Sequence, residues 1–111
     1  MAEGTNFIRA YNEELRSYDS SGGDSTFQEI GASFSHPIRM LKFKNNSNVD
    51  ITISYDGTTD QDIILAGDRE IEDLTSNKTI NDGFVRHHGT QVFAKSSAGT
   101  GDLYLIAIYA D

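Results

Sequence analysis

Turn-forming residues punctuate this chain at short intervals, and their spacing limits the fold more than any other feature. From residue 26 onward, short apolar stretches end at Asn45-Asn46-Ser47-Asn48, at Asp56-Gly57, at Gly67, at Ser76-Asn77 and at residues 96–101. Turn signals every 8–12 residues or about that leave room for strands of about five residues, the rhythm of a sandwich or barrel. Ile51, Ile53 and Tyr55 alternate with Thr52 and Ser54, the pattern of a strand with one face in a core. Asp56-Gly57 closes it with a dipeptide that tolerates positive φ. Further strands are predicted at residues 38–44, 62–66, 70–74, 84–86 and 90–95. The last, residues 103–109, is apolar on both faces, which suits a central strand or a subunit interface. No helical pattern alternates with the strands, so an α/β enzyme fold is disfavoured. The expected fold is all-β: a single β-sandwich or jelly-roll-like domain of about seven or eight short antiparallel strands.

The first 25 residues read differently. Phe7, Ala10, Tyr11, Leu15 and Tyr18 fall close to helical spacing, with Thr5 or Asn6 as an N-cap. The stretch Asp19-Ser20-Ser21-Gly22-Gly23-Asp24-Ser25 then reads as a flexible polar linker. Three readings stand side by side: a short amphipathic helix on its own domain, an arm that docks on a neighbouring subunit, and a partly buried extended segment. The expected division is an N-terminal arm or short helix with its linker at residues 1–25, followed by the sandwich at residues 26–111.

Composition excludes much else. The 111 residues contain no Cys and no Trp, so disulfides, thiolate metal sites and thiol nucleophiles are out. The most apolar stretch, residues 103–107, is too short to span a membrane, and the N-terminus lacks the basic and apolar parts of a signal peptide. Nine Lys+Arg against 17 Asp+Glu give a net charge of -8, which argues against a phosphate-backbone binder and hence against a nucleic-acid partner. The acidity is uneven: residues 56–73 hold Asp56, Asp60, Asp62, Asp68, Glu70, Glu72 and Asp73 against Arg69 alone.

Candidate chemistry is sparse. His36 precedes Pro37, and His87 and His88 are adjacent, so on a strand they would point to opposite faces and could not share an ion. They read as surface or turn histidines. Asp56, Asp60 and Asp62 invite calcium, but the loop has neither the Gly nor the closing Glu of an EF-hand, and Asp62 is expected to face solvent. Glu70 and Glu72 share one strand face, as paired catalytic acids would, yet solvated charge on an outer face is the plainer reading. No G-x-S-x-G and no phosphate loop occurs. No catalytic, cofactor or metal residues are therefore assigned.

A resemblance emerges from the motifs themselves. Residues 34–39 (Phe-Ser-His-Pro-Ile-Arg), 45–57 (Asn45-Asn46-Ser47-Asn48 through Asp56-Gly57), Thr59-Asp60, Ala66-Gly67, Asp73-Leu74 with Ser76-Asn77-Lys78, 89–92 and 97–105 are similar to small all-β structural proteins of tailed bacteriophages. The likeness spans roughly residues 27–110 and consists of turn and strand motifs. It implies a virion component, a homo-oligomer that contacts other virion proteins in a capsid-decorating or neck-associated position, without cofactor or catalysis. The alternative is a receptor- or glycan-binding attachment module, with calcium as a candidate aid. Interface residues are expected at Phe7, Tyr11, Leu15 and Tyr18 of the N-terminal segment and at Tyr104, Ile106 and Ile108 of the last strand.

Overall fold

The computed structural model describes residues 10–73, 86 and 89–110. They form nine strands: β1 (Ala10–Asn12), β2 (Arg16–Asp19), β3 (Gln28–Glu29), β4 (Met40–Asn45), β5 (Ile51–Ser54), β6 (Asp62–Ile64), β7 (Arg69–Asp73), β8 (Phe93–Lys95) and β9 (Asp102–Ala110). Every pairing among these strands is antiparallel. A five-stranded sheet runs β1-β9-β4-β7, with β2 also on β9, and a four-stranded sheet runs β3-β8-β5-β6. The all-β sandwich expectation holds.

Alternation explains the packing. On β4, Leu41 and Phe43 are buried; on β9, Leu103, Leu105 and Ala107; on β5, Ile51 and Ile53. These residues meet Tyr18, Ile64, Val92 and Ala94 in one core, closed by Ile30, Phe34 and Ile38 from connecting segments. Each large apolar side chain buried here contributes about 1.5–3 kcal/mol of transfer free energy. The last strand is central as predicted, with β4 on one side and β1 and β2 on the other.

The N-terminal segment departs from the helical expectation. From Ala10 to Asp19 it is extended, and β1 and β2 are successive pieces of one broken edge strand beside β9. Tertiary pairing overrides a weak helical spacing here: without them β9 would present a long unpaired edge. The stretch predicted as a loose linker is also packed. Ser20–Gly22 form a 3-10 turn; Ser20 N donates to Gly101 O at 3.1 Å and Gly99 N to Ser20 O at 3.0 Å. A Cβ on Gly23 would lie 2.6 Å from Ser96 Oγ. Asp56-Gly57 makes the predicted turn, with Gly57 at φ 81.

Asn45 ties the two sheets together. Its Nδ2 donates to the carbonyls of Val49 (3.0 Å) and Ile64 (2.9 Å), and its Oδ1 accepts from Ser47 N at 3.0 Å. The residue that reads as the start of a polar turn is a buried link between β4 and β6.

Candidate functional site

The outer face of the five-stranded sheet carries the candidate interface residues of the last strand. Strand register sets its composition. Across one row Lys42 stands between Ile106 and Ile71; in the next, Lys44 stands between Tyr104 and Arg69; on the other side, Met40 stands between Ile108 and Asp73. Ile71 is 60% exposed, Leu15 59%, and Tyr104, Ile106 and Ile108 are half-buried. Their neighbours Leu103, Leu105 and Ala107 point the other way, into the core. A strand apolar on both faces thus serves the core with one and keeps the other half-buried.

The candidate interface residues divide. Tyr104, Ile106 and Ile108 share the outer face, and Leu15 is exposed just before β2. Tyr11 is partly exposed and stacks on Tyr109 at 5.6 Å. Tyr18 is a correction to the helical grouping: β2 turns it inward, it is 4% exposed, and its hydroxyl pairs with Ser96 Oγ at 3.0 Å. Phe7 lies outside the described residues. Ile71 and Met40 were not singled out from the sequence; the alternation Glu70-Ile71-Glu72 was the only signal.

That alternation runs opposite to expectation. Glu70 lies beside Phe43 and Glu72 beside Leu41, so both carboxylates point to the inner side of β7, at the open margin of the sandwich. Asp62, beside Ile53, points inward too rather than to solvent. The reason is register: Ile71 must share the outer row with Lys42 once Phe43 and Leu41 fill the core. Glu72 takes a bidentate ion pair from Arg86, Nε to Oε1 at 3.0 Å and Nη2 to Oε2 at 2.8 Å. The Arg86 guanidinium also lies 3.8 Å from the Tyr55 ring centre. Burial, reinforced by the Glu72 charge, pushes the Tyr55 phenol well above its ordinary range.

Glu70 shares a hydrogen bond with Asp62 across the margin. That bond first, then burial and the charges of Asp62 and Glu72, push its carboxyl up to about 7. A carboxyl raised above its ordinary 4.5 contributes stability that is fully present below 4.5 and lost as pH rises through 7. The protein should therefore be less stable at pH 8 than at pH 5 by on the order of 1 kcal/mol, once solvent screening at this margin is allowed for. Glu70→Gln, which keeps the hydrogen bond without the charge, should remove that pH-dependent loss. Urea midpoints of both proteins at the two pH values check it; an unchanged pH dependence in Glu70→Gln would contradict it.

The remaining carboxylates have separate partners. Asp56 Oδ1 accepts from Thr58 N and Thr59 N at 2.9 and 2.8 Å and from Ser54 Oγ at 2.8 Å, and these bonds hold its carboxyl far below the usual range. Asp60 pairs with Lys95 at 2.8 Å. Asp56, Asp60 and Asp62 therefore do not converge as a calcium loop would require, and no group of three or more potential metal ligands occurs among the described residues.

His36 has a structural partner that no sequence pattern announced. Its Nδ1 lies 2.7 Å from Glu13 Oε2, and its ring stacks on Tyr109 with centroids 3.7 Å apart. Glu13 also receives Arg16 Nη2 at 3.2 Å and Ser35 N at 3.1 Å. Burial pushes the Glu13 carboxyl up, but the hydrogen bonds and charges of His36 and Arg16 outweigh it and hold the group below its ordinary value. His87 and His88 lie outside the described residues.

No family model matches the chain, and no curated protein matches it. Among solved structures, the crystal structure of SPBc2 prophage-derived protein YomS is similar at 16% identity, with 96% of this chain and 100% of that chain covered and a TM-score of 0.40. That likeness is too slight to assign a fold or a role, so the architecture rests on the strand pairing itself.

Proposed function

We propose that the chain is a structural component of a tailed-phage particle, in a capsid-decorating or neck-associated position, and that it works by protein–protein assembly rather than catalysis. The observation that carries this reading is the outer face of the five-stranded sheet, where Met40, Tyr104, Ile106 and Ile108 are neighbouring half-buried apolar residues and the exposed Ile71 stands beyond Lys42. Apolar residues left at the surface in a group of this kind mark contact with another protein. The turn and strand motifs that resemble phage structural proteins support the same setting. The attachment-module alternative has no comparable support, because the loop carboxylates are taken by a turn, by Lys95 and by Glu70.

Virions produced from the genome that encodes the chain supply the test. Quantitative mass spectrometry of purified particles should find it in a fixed copy number, retained through salt washes that strip loosely adhering proteins. Its absence from purified particles would end the proposal.

A further inference from the structure

We infer that β7 pairs with the β7 of a second copy of this chain, antiparallel and centred on Ile71, so that two five-stranded sheets join into one. This contact takes its setting from the assembly reading, and it can be measured on the purified chain alone.

Among the described residues β7 is the outermost strand of its sheet, with β4 as its neighbour there. One hydrogen bond fixes the phase of its backbone. Asn45 N donates to Asp68 O at 2.8 Å, continuing the register of β4 with β7. Backbone groups alternate in direction along a strand, so Glu70 and Glu72 turn theirs to β4 while Arg69, Ile71 and Asp73 turn theirs to the open side. The side chains of these same three residues share the outer face, opposite Lys44, Lys42 and Met40.

Residues 69–73 read Arg-Glu-Ile-Glu-Asp, a sequence that complements itself when reversed. Antiparallel pairing about Ile71 sets Arg69 of each copy against Asp73 of the other, and Ile71 against its own counterpart. All three are pairs whose backbone groups face outward, so the seam closes with about six N–H···O bonds. The side chains suit the match. Ile71 is 60% exposed, the most of any large apolar residue described. Arg69 makes no ion pair among the described residues. Asp73 has an interaction within its own chain, and a carboxylate keeps acceptor sites for an arginine besides.

The inner row opposes the contact. Glu70 would face Glu72 of the second copy, and like charges opposed across strands are destabilising. Within each copy those carboxylates are already engaged, Glu72 by Arg86 and Glu70 by its hydrogen bond with Asp62. The outer row then selects the register. A slip of two residues would lose both Arg69–Asp73 pairs and set Ile71 against Arg69 or Asp73. This self-complementarity is what makes a second copy the occupant of the edge.

Five residues at about 3.3 Å rise make a seam about 17 Å long. Such a contact is small beside the roughly 800 Å² per partner of a stable pair, so it is weak alone and gains strength in a repeated assembly. The two-fold axis stands perpendicular to the sheet, which puts the outer faces of both copies on the same side. Met40, Tyr104, Ile106 and Ile108 of each copy then belong to one surface of twice the width.

The chain has no Cys, so a single introduced thiol reports its own neighbours. Opposed residues in such a pair have Cα atoms about 5.5 Å apart, within disulfide range. At about 1 mM protein under mild oxidation, Ile71→Cys should cross-link into a dimer. Arg69→Cys alone should do so at least about tenfold more slowly, and mixing it with Asp73→Cys should give the mixed dimer. Sedimentation equilibrium of the wild type should show dimers at the same concentration. Arg69→Asp should weaken them about tenfold, and Arg69→Asp/Asp73→Arg should recover them. Amide exchange at Arg69 and Ile71 should slow as concentration rises, while Glu70 and Glu72, already bonded to β4, stay unchanged. Thermal unfolding of each variant shows that the fold is intact. A wild type that stays monomeric at about 1 mM, where a contact worth about 4 kcal/mol is half-formed, overturns the inference. So does a dimer in which Arg69→Cys cross-links as fast as Ile71→Cys. A chain present in virions whose Ile71→Cys variant fails to cross-link would sink this contact and leave the proposed function standing; β7 pairing by a chain absent from virions would do the reverse.

Discussion

Replacing Glu13 with Ala is expected to cost the fold about 3–5 kcal/mol, a loss near the limit of what a small domain tolerates. Arg16 enters the interior from β2 beside Leu105, and the side chains of Arg16 and Glu13 are only 7% and 5% exposed. The guanidinium donates from Nε to Ala32 O and from Nη1 to Glu14 O, both at 3.0 Å, and lies over the Phe34 ring at 4.8 Å. Those carbonyls satisfy its hydrogen bonds, but Glu13 alone compensates its charge among the described residues. Arginine cannot shed its proton to escape a buried site, so deleting Glu13 strands a cation. Urea unfolding should show the loss as a lower midpoint at unchanged slope. Glu13→Leu with Arg16→Met should cost less than Glu13→Ala alone, because no charge is then left buried. The sign with pH also follows. A carboxyl held below its ordinary 4.5 contributes stability that is complete above 4.5 and drains away as pH falls through its lowered value. Glu13→Gln should flatten that acid limb. A Glu13→Ala protein as stable as wild type would mean that water reaches Arg16 and that the pair is not buried.

The strands that can be read from the chain are those whose own alternation carries the signal. Residues 51–54 and 102–110 declare themselves because Ile51, Ile53, Leu103, Leu105 and Ala107 recur at period two. Tyr104, Ile106 and Ile108 were visible as interface candidates for the same reason: the strand is apolar on both sides, and one core cannot use both. The N-terminal strands were hidden because their extended form depends on pairing with β9 some ninety residues on, as in Tyr18 opposite Leu103. Period two also leaves open which set of side chains turns inward. In β7 that choice was made by Phe43 and Leu41 on the neighbouring strand, which turned Ile71 out and two glutamates in. The end of the sandwich where residues 19–25, 45–50, 65–68 and 96–102 meet is the least legible feature, since Asp19 faces Asp102 only through the pairing of β2 with β9 and the rest meet through loop hydrogen bonds. The denser run from 56 to 73 is the more visible in the sequence, yet there Asp60 is paired with Lys95 and Glu72 with Arg86.

Gly101→Ala is the second change expected to do large damage, and it probes the end of the sandwich where residues 46–47 and 101 meet. Gly101 holds φ 102, outside the conformations an L-residue enters readily, at a cost of roughly 1–2 kcal/mol for any side chain. A Cβ there would also overlap the carbonyl oxygen of Asn46 and stand 2.9 Å from Ser47 Cα, backbone atoms that cannot swing aside. Overpacking against a fixed neighbour adds about 1–3 kcal/mol, so the sum is about 2–5 kcal/mol. Gly67→Ala separates the two contributions. Gly67 has φ 79, but its Cβ position meets nothing within 4 Å, so only the conformational part applies and the loss should stay at about 1–2 kcal/mol. The difference between the variants measures how firmly residues 46–47 and 101 are seated together. The same seating holds Asp102 beside Asn46 and, through Asn45, Asp68 on the other side of β4. Equal losses in the two variants would show that these loops are not locked against each other.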